Sequence, residues 1–192
     1  MKVLGITGGI ASGKTLVSQQ FKSRGFTVLD ADAMVHELYE SEAVIDQIQA
    51  RFPTVIDNHI LDRKALGNLV FNDENAKKDL ENILHPKVYD KIKTELLNHP
   101  NESWVIVDIP LLYETGGVSL CDLVMVVYVN EDLQRKRLML RNQLTVEEAN
   151  LRIASQMPLK DKVNQADIVI DNSGLIQKTL DRVNEIIDKV LL

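Results

Sequence analysis

A chain of 192 residues has room for one full α/β domain with a small satellite, and its 45% hydrophobic and 26% charged content excludes a disordered or fibrous protein. The net charge of −6 leaves no global basic surface for nucleic acid, so an anionic ligand has to be met by a local cluster of positive groups. A single cysteine, Cys121, rules out an intrachain disulfide, and the first apolar run, residues 3–6, is too short for a leader's core or a bilayer span. A cytoplasmic protein with no membrane partner is therefore expected.

Taken in chain order, residues 3–6, a Gly-rich turn, and then Leu16, Val17 and Phe21 read as strand, loop and helix. Residues 26–29 form a second short apolar run between Gly25 and Asp30. From residue 33 to about 99 the chain favours helix and shows no convincing strand, with Pro53, Pro86 and Pro100 as local breaks. Residues 104–107 are a buried-strand candidate ending at Asp108. The most apolar run, residues 123–129, predicts a central strand covered on both faces. Two charged helices are expected over 131–141 and 145–156, a last strand over 168–170, and a closing amphipathic helix over 175–192.

Five short strands alternating with helices predict a parallel sheet with helices on both faces. The helical insertion after the second strand and the charged pair after the fourth would lie above the carboxyl edge of that sheet, where open α/β sheets bind ligands.

The segment Gly8-Gly9-Ile10-Ala11-Ser12-Gly13-Lys14-Thr15 satisfies G-x-x-x-x-G-K-[ST] in full, between a strand and a helix as that motif requires. Its glycines let the backbone fold into a concave nest of N–H groups, and the helix that follows adds its positive end. Lys14 supplies a flexible charge for β- and γ-phosphates, and Thr15 offers a hydroxyl to Mg²⁺. An ATP-dependent phosphotransferase with Mg²⁺ is the expected function class.

Around the loop several residues admit two readings. Asp30 and Asp32 follow the second strand two residues apart. If that segment stays extended, both carboxylates point to one face, where one could take a proton from an acceptor hydroxyl. Otherwise they cap a helix starting near Ala33. Asp108 is either a strand-end acid reaching Mg²⁺, directly or through water, or a turn residue. Arg137 and Arg141, at i and i+4, are either arginines brought over the transferring group or part of a solvated helix face, with Arg135, Lys136 and Arg152 nearby. His85 precedes Pro86 in a helical stretch, a bend useful at a cleft, although a lone histidine is more often structural. His36, His59 and His99 have nothing around them to suggest a role, and no Cys/His cluster marks a zinc site.

In order along nearly the whole chain, these pieces resemble the dephospho-coenzyme A kinase family. The resemblance rests on residues 4–15, on Asp30-Ala31-Asp32, on Leu84-His85-Pro86 and on Asp108-Ile109-Pro110-Leu111-Leu112-Tyr113-Glu114. Arg141-Asn142, residues 152–158 and residues 166–174 complete it. It implies transfer of the ATP γ-phosphoryl group to the ribose 3′-hydroxyl of dephospho-CoA, with these two small molecules as partners and no protein partner.

The resemblance also implies residue roles. Asp32 would be the general base with Asp30 in support, and Gly9 to Thr15 would hold the nucleotide. Arg141 with Arg137 would neutralise the transition state, and Arg141 would also touch the nucleotide. His85 and Asp108 would face the acceptor, and Asn172 to Gly174 would flank the adenine. The implied layout is a nucleotide-binding core over 1–32, 104–136 and 166–192, a helical substrate domain over 33–103, and a lid over 137–165. Ala11 stands where the family usually has glycine, a change expected to be harmless if Ala11 keeps φ below zero. Another small-molecule kinase of this fold, or a nucleotide switch, is the alternative, although the guanine-reading Asn-Lys-x-Asp motif is absent.

Overall fold

A computed structural model describes residues 1–191. In chain order it holds β1 (Lys2–Gly8), α1 (Lys14–Ser23), β2 (Val28–Asp30), α2 (Ala31–Leu38) and α3 (Glu42–Arg51). Two short strands, β3 (Ile56–Asp57) and β4 (Ile60–Leu61), precede α4 (Arg63–Asn72) and α5 (Glu74–Leu97). Then come β5 (Trp104–Asp108), β6 (Leu123–Tyr128), α6 (Glu131–Asn142), α7 (Val146–Ala154), α8 (Leu159–Asn164), β7 (Ile168–Asp171) and α9 (Ile176–Ile186). The chain divides into two compact units, one made of Met1–Asp30 with the chain from Asn98 onward, the other of Ala31–Leu97.

The first unit is built on a five-stranded sheet of order β2-β5-β1-β6-β7, with every neighbouring pair parallel. Parallel strands need helical crossovers, which cover both faces and make the strands apolar throughout. Leu4, Ile6, Ile106, Met125, Val127 and Ile170 pack with Val17 and Phe21 of α1 and Val183 and Ile186 of α9. The alternate residues Val105, Val107, Val124 and Val126 are equally buried, as a sheet covered on both faces requires. The apolar run after residue 122 is β6, interior between β1 and β7, although β1 holds the centre. From β1 the chain winds to one side for β2 and β5 and to the other for β6 and β7. The reversal opens a crevice at the carboxyl end of β1, where the Gly-rich loop begins.

Two details of this unit depart from expectation. The chain past Ala154 forms a separate short helix, α8, started by Pro158. The closing helix gives way at Ile187–Leu191 to a wider π turn, and Leu192 lies outside the described residues.

The second unit packs around α5, whose buried residues Ala76, Leu80, Leu84, Val88, Ile92 and Leu96 recur every fourth position along one face. Val44 and Ile48 of α3, Leu66 of α4 and Phe52 complete its core. Pro86 does not break α5, which runs on for 24 residues through it, whereas Pro53 opens a short 3₁₀ turn. The stretch expected to lack strands contains the β3–β4 hairpin. Its two-residue turn, Asn58-His59, has φ of 48° and 61°, a left-handed pair that an Asn-His sequence signals weakly. His36 faces the Arg63 guanidinium at 3.2 Å, a structural contact that also involves the Tyr39 ring and Glu40.

Candidate active site

The loop between β1 and α1 is organised by what its backbone lacks. α1 opens at Gly13 with no side-chain cap, so its first N–H groups have no partner within the helix and their positive end faces the loop. Gly13 sits at φ 90°, and a side chain there would overlap the Asn172 amide. Glycine is required at this position both by conformation and by space. At Gly9 a Cβ would come within 2.6 Å of Gln134 Nε2.

The eight buried polar or charged side chains among the described residues are Thr7, Ser12, Ser18, Asp108, Gln134, Lys162, Asn172 and Thr179. All of them belong to the loop or to the hydrogen-bonded shell that holds it. Gln134 Nε2 donates to the Ile10 carbonyl at 2.9 Å, and the Ile10 N–H donates to Gln156 Oε1 at 2.8 Å. Asn172 Nδ2 donates to the Ser12 carbonyl at 2.8 Å, while its Oδ1 accepts from Thr179 Oγ1 at 2.9 Å. Arg137 Nη2 donates to the Asn172 carbonyl at 3.0 Å. A loop whose carbonyls and apical N–H are satisfied from outside keeps its remaining N–H groups turned inward, and that geometry suits an anion. The Ser12 hydroxyl, buried in the loop, has no hydrogen-bond partner.

Lys14 forms an ion pair with Asp108 Oδ1, and Ser18 Oγ donates to Oδ2 of the same carboxylate. Asp108 is 3% exposed. Its neighbour across the sheet is Asp30, in register at the carboxyl end of β2. Asp108 is therefore more than a turn residue. Thr15, exposed in the first turn of α1, and the Asp108 carboxylate offer oxygen donors of the kind Mg²⁺ takes, and two suffice for an ion that keeps most of its waters. Among the described residues no three His, Cys, Asp or Glu side chains group to hold a metal. Burial, helped by Asp122, pushes the Cys121 thiol up to about 12, which leaves it no nucleophile at neutral pH.

The segment after β2 does not stay extended: α2 starts at Ala31, so Asp30 closes a strand and Asp32 lies exposed in the first helical turn. The shared-face argument for the two carboxylates therefore does not hold. Arg137 is tied beside Gly13, whereas Arg141, one turn on, is exposed and bonded to Asn142 at 2.8 Å. The Asn172 side chain is spent inside the shell, while Gly174 is exposed. His85 is partly buried on α5, and burial lowers its pKa against the opposing pull of Glu81. Sequence reasoning missed Ser18, Gln134, Gln156, Glu114 and Lys162. Ser18, Gln134 and Lys162 carry one faint signal, a polar residue on a helix, whereas Glu114 lies in a turn and Gln156 in a bend, where no periodicity marks them.

Ala11 departs from the condition set for it. It sits at φ 59°, in the left-handed region, where a Cβ costs about 1–2 kcal/mol. Ala11→Gly relieves that strain but costs about 0.5–1 kcal/mol in glycine's chain entropy, so a net gain of about 0.5–1 kcal/mol, or about 1–4 °C in Tm, is expected. Thermal unfolding of the two proteins checks this, and an unchanged or lower Tm would show that the strain is relieved elsewhere.

The comparisons with known proteins agree with the loop. The model of the family described as dephospho-CoA kinase matches residues 2–178. A curated dephospho-CoA kinase from Oceanobacillus iheyensis is 42% identical over 192 residues, covering 97% of this chain and 96% of its own. One from Geobacillus kaustophilus is 44% identical over 181 residues, covering 92% and 90%. A solved dephospho-CoA kinase from Campylobacter jejuni superposes with a TM-score of 0.73 at 32% identity, covering 98% of this chain and 96% of its own. With a complete phosphate loop at the carboxyl edge of a parallel sheet and a family match over nearly its full length, this chain belongs to the dephospho-CoA kinase family.

Proposed function

We propose that the protein transfers the γ-phosphoryl group of ATP to the ribose 3′-hydroxyl of dephospho-CoA, giving coenzyme A and ADP. The observation that carries this reading is the phosphate loop itself. An uncapped helix start, a lysine and a threonine converge there beneath a shell of buried polar side chains, in a chain of this family. The acceptor oxygen attacks Pγ and the bond from Pγ to the β,γ-bridging oxygen breaks. Asp32 takes the hydroxyl proton and Asp30 supports it.

Lys14 leaves Asp108 for the β- and γ-phosphates as nucleotide enters, an exchange of one anionic partner for another. Arg137, already beside Gly13, and Arg141 on the lid neutralise charge that builds on the transferring group. Thr15 and Asp108 would hold Mg²⁺, which would supply further neutralisation of the phosphate oxygens. Residues 33–103 carry the acceptor, with His85 in its cleft, and residues 137–165 close as a lid that keeps water from Pγ. Gly9 to Thr15 hold the phosphates, and Asn172 to Gly174 flank the adenine through backbone groups. The reaction takes place in the cytoplasm; among the described residues no helix is long and apolar enough to cross a membrane.

The test is ADP release from Mg-ATP with dephospho-CoA, AMP, CMP, gluconate or no acceptor. Turnover with dephospho-CoA alone is expected. Turnover with a different acceptor would move the chain to another small-molecule kinase activity, and ATP consumption without any acceptor would favour a nucleotide switch.

A further inference from the structure

Lys162 is the only buried cation among the described residues, and it has no exposed surface at all. An ammonium group taken out of water costs several kcal/mol unless it is paired and its donors are used. Here all three donors have acceptors: Glu114 Oε1 at 2.8 Å, the Pro110 carbonyl at 3.0 Å and the Gly8 carbonyl at 3.4 Å. The acceptors come from two places that matter for phosphoryl transfer. Gly8 is the first residue of the phosphate loop. Pro110 and Glu114 lie in the segment leaving β5 just after Asp108, the residue that holds Lys14.

Two further bonds tighten the knot. The Thr7 hydroxyl donates to the same Pro110 carbonyl at 2.8 Å, and Glu114 Oε1 also accepts the Met157 N–H at 3.0 Å, at the entry to α8. A hydrophobic residue of similar volume is often as stable as a buried ion pair, so stability alone does not account for a lysine here. A four-carbon stem ending in three donors does what a hydrophobic side chain cannot, which is to fix two backbone carbonyls at set positions.

We propose that Lys162 is a positioning residue for phosphoryl transfer: ion-paired to Glu114, it fixes the Gly8 carbonyl at the mouth of the phosphate loop and the Pro110 carbonyl beyond Asp108, and so sets the spacing between the phosphate nest and the Lys14–Asp108 pair. It acts through these groups rather than on the reacting atoms. The inference rests on the kinase function proposed above.

The experiment compares wild type, Lys162→Met, Lys162→Arg and Glu114→Gln. It reads the folded fraction at the assay temperature, Mg-ATP affinity by calorimetry without acceptor, and kcat with KM for each substrate. Lys162→Met is expected to weaken ATP binding about tenfold and to lower kcat by about 10- to 100-fold, the scale of a small misplacement made away from the chemistry. KM for dephospho-CoA should hold. Lys162→Arg, which keeps a cation and its donors, should recover part of both losses, and Glu114→Gln should reproduce them in weaker form.

ATP affinity and kcat within twofold of wild type for folded Lys162→Met, with only its Tm lowered, would make Lys162 merely structural and overturn the proposal. If Lys162→Met does not fold, Glu114→Gln decides by the same two quantities, wild-type values again overturning it. Should wild type fail to phosphorylate dephospho-CoA, the functional reading falls, and the ATP affinities alone still decide the role of Lys162.

Discussion

Replacing Asp32 with Asn is expected to lower kcat by about 10²–10⁴-fold, the usual contribution of a positioned general base, while Mg-ATP binds as before. The amide keeps the shape of the carboxylate and loses its capacity to take a proton. Asp32 is exposed in the first turn of α2, so the fold should tolerate the change, with about 0.5 kcal/mol lost from its interaction with the helix dipole. Steady-state kinetics beside a denaturation curve separate the two effects. Asp30→Asn belongs in the same experiment, because Asp30 closes β2 in register with Asp108. A larger loss from Asp30→Asn than from Asp32→Asn would move the base to Asp30. Wild-type turnover in Asp32→Asn would remove Asp32 from the chemistry.

Lys14→Met should cost activity and stability together, and the two losses have different causes. Losing the charge that meets the β- and γ-phosphates is expected to reduce kcat/KM for ATP by about 10²–10³-fold or more, as for other preorganised electrostatic contacts. The same substitution leaves the Asp108 carboxylate, whose side chain is 5% exposed, with Ser18 as its remaining partner. An uncompensated buried charge is worth about 3 kcal/mol of stability or more. Adding Asp108→Asn to Lys14→Met removes that charge, so the double variant should regain most of the stability and none of the activity. If it regains activity as well, Lys14 acts mainly by neutralising Asp108. If Lys14→Met is as stable as wild type, the pair is not energetically coupled in the folded protein.

Much of this architecture was legible because it is local. The eight residues from Gly8 to Thr15 are consecutive, and their glycines, lysine and threonine state their chemistry by type and spacing. The five sheet strands announced themselves by apolar runs, since a sheet covered on both faces leaves no polar alternation to read. What the windows misjudged were local choices settled by distant contacts. The Asn58-His59 hairpin forms where no apolar alternation marks it. α5 runs through Pro86 because its fourfold apolar stripe is packed along its length, which offsets one missing hydrogen bond.

By itself, the sequence determined the phosphate loop, the parallel sheet beneath it and the acids at the strand ends, because motif and periodicity are properties of neighbouring residues. Only the tertiary structure decided that Ala11 takes a left-handed conformation between Ile10 and Ser12, two residues pinned from outside the loop. It alone buried Gln134 and Lys162 and turned both toward the loop, along with Gln156, from 124, 154 and 146 residues away. A polar side chain reads as solvated surface until folding removes it from water. Then an unmet hydrogen bond becomes costly, and the partner that meets it can come from anywhere in the chain.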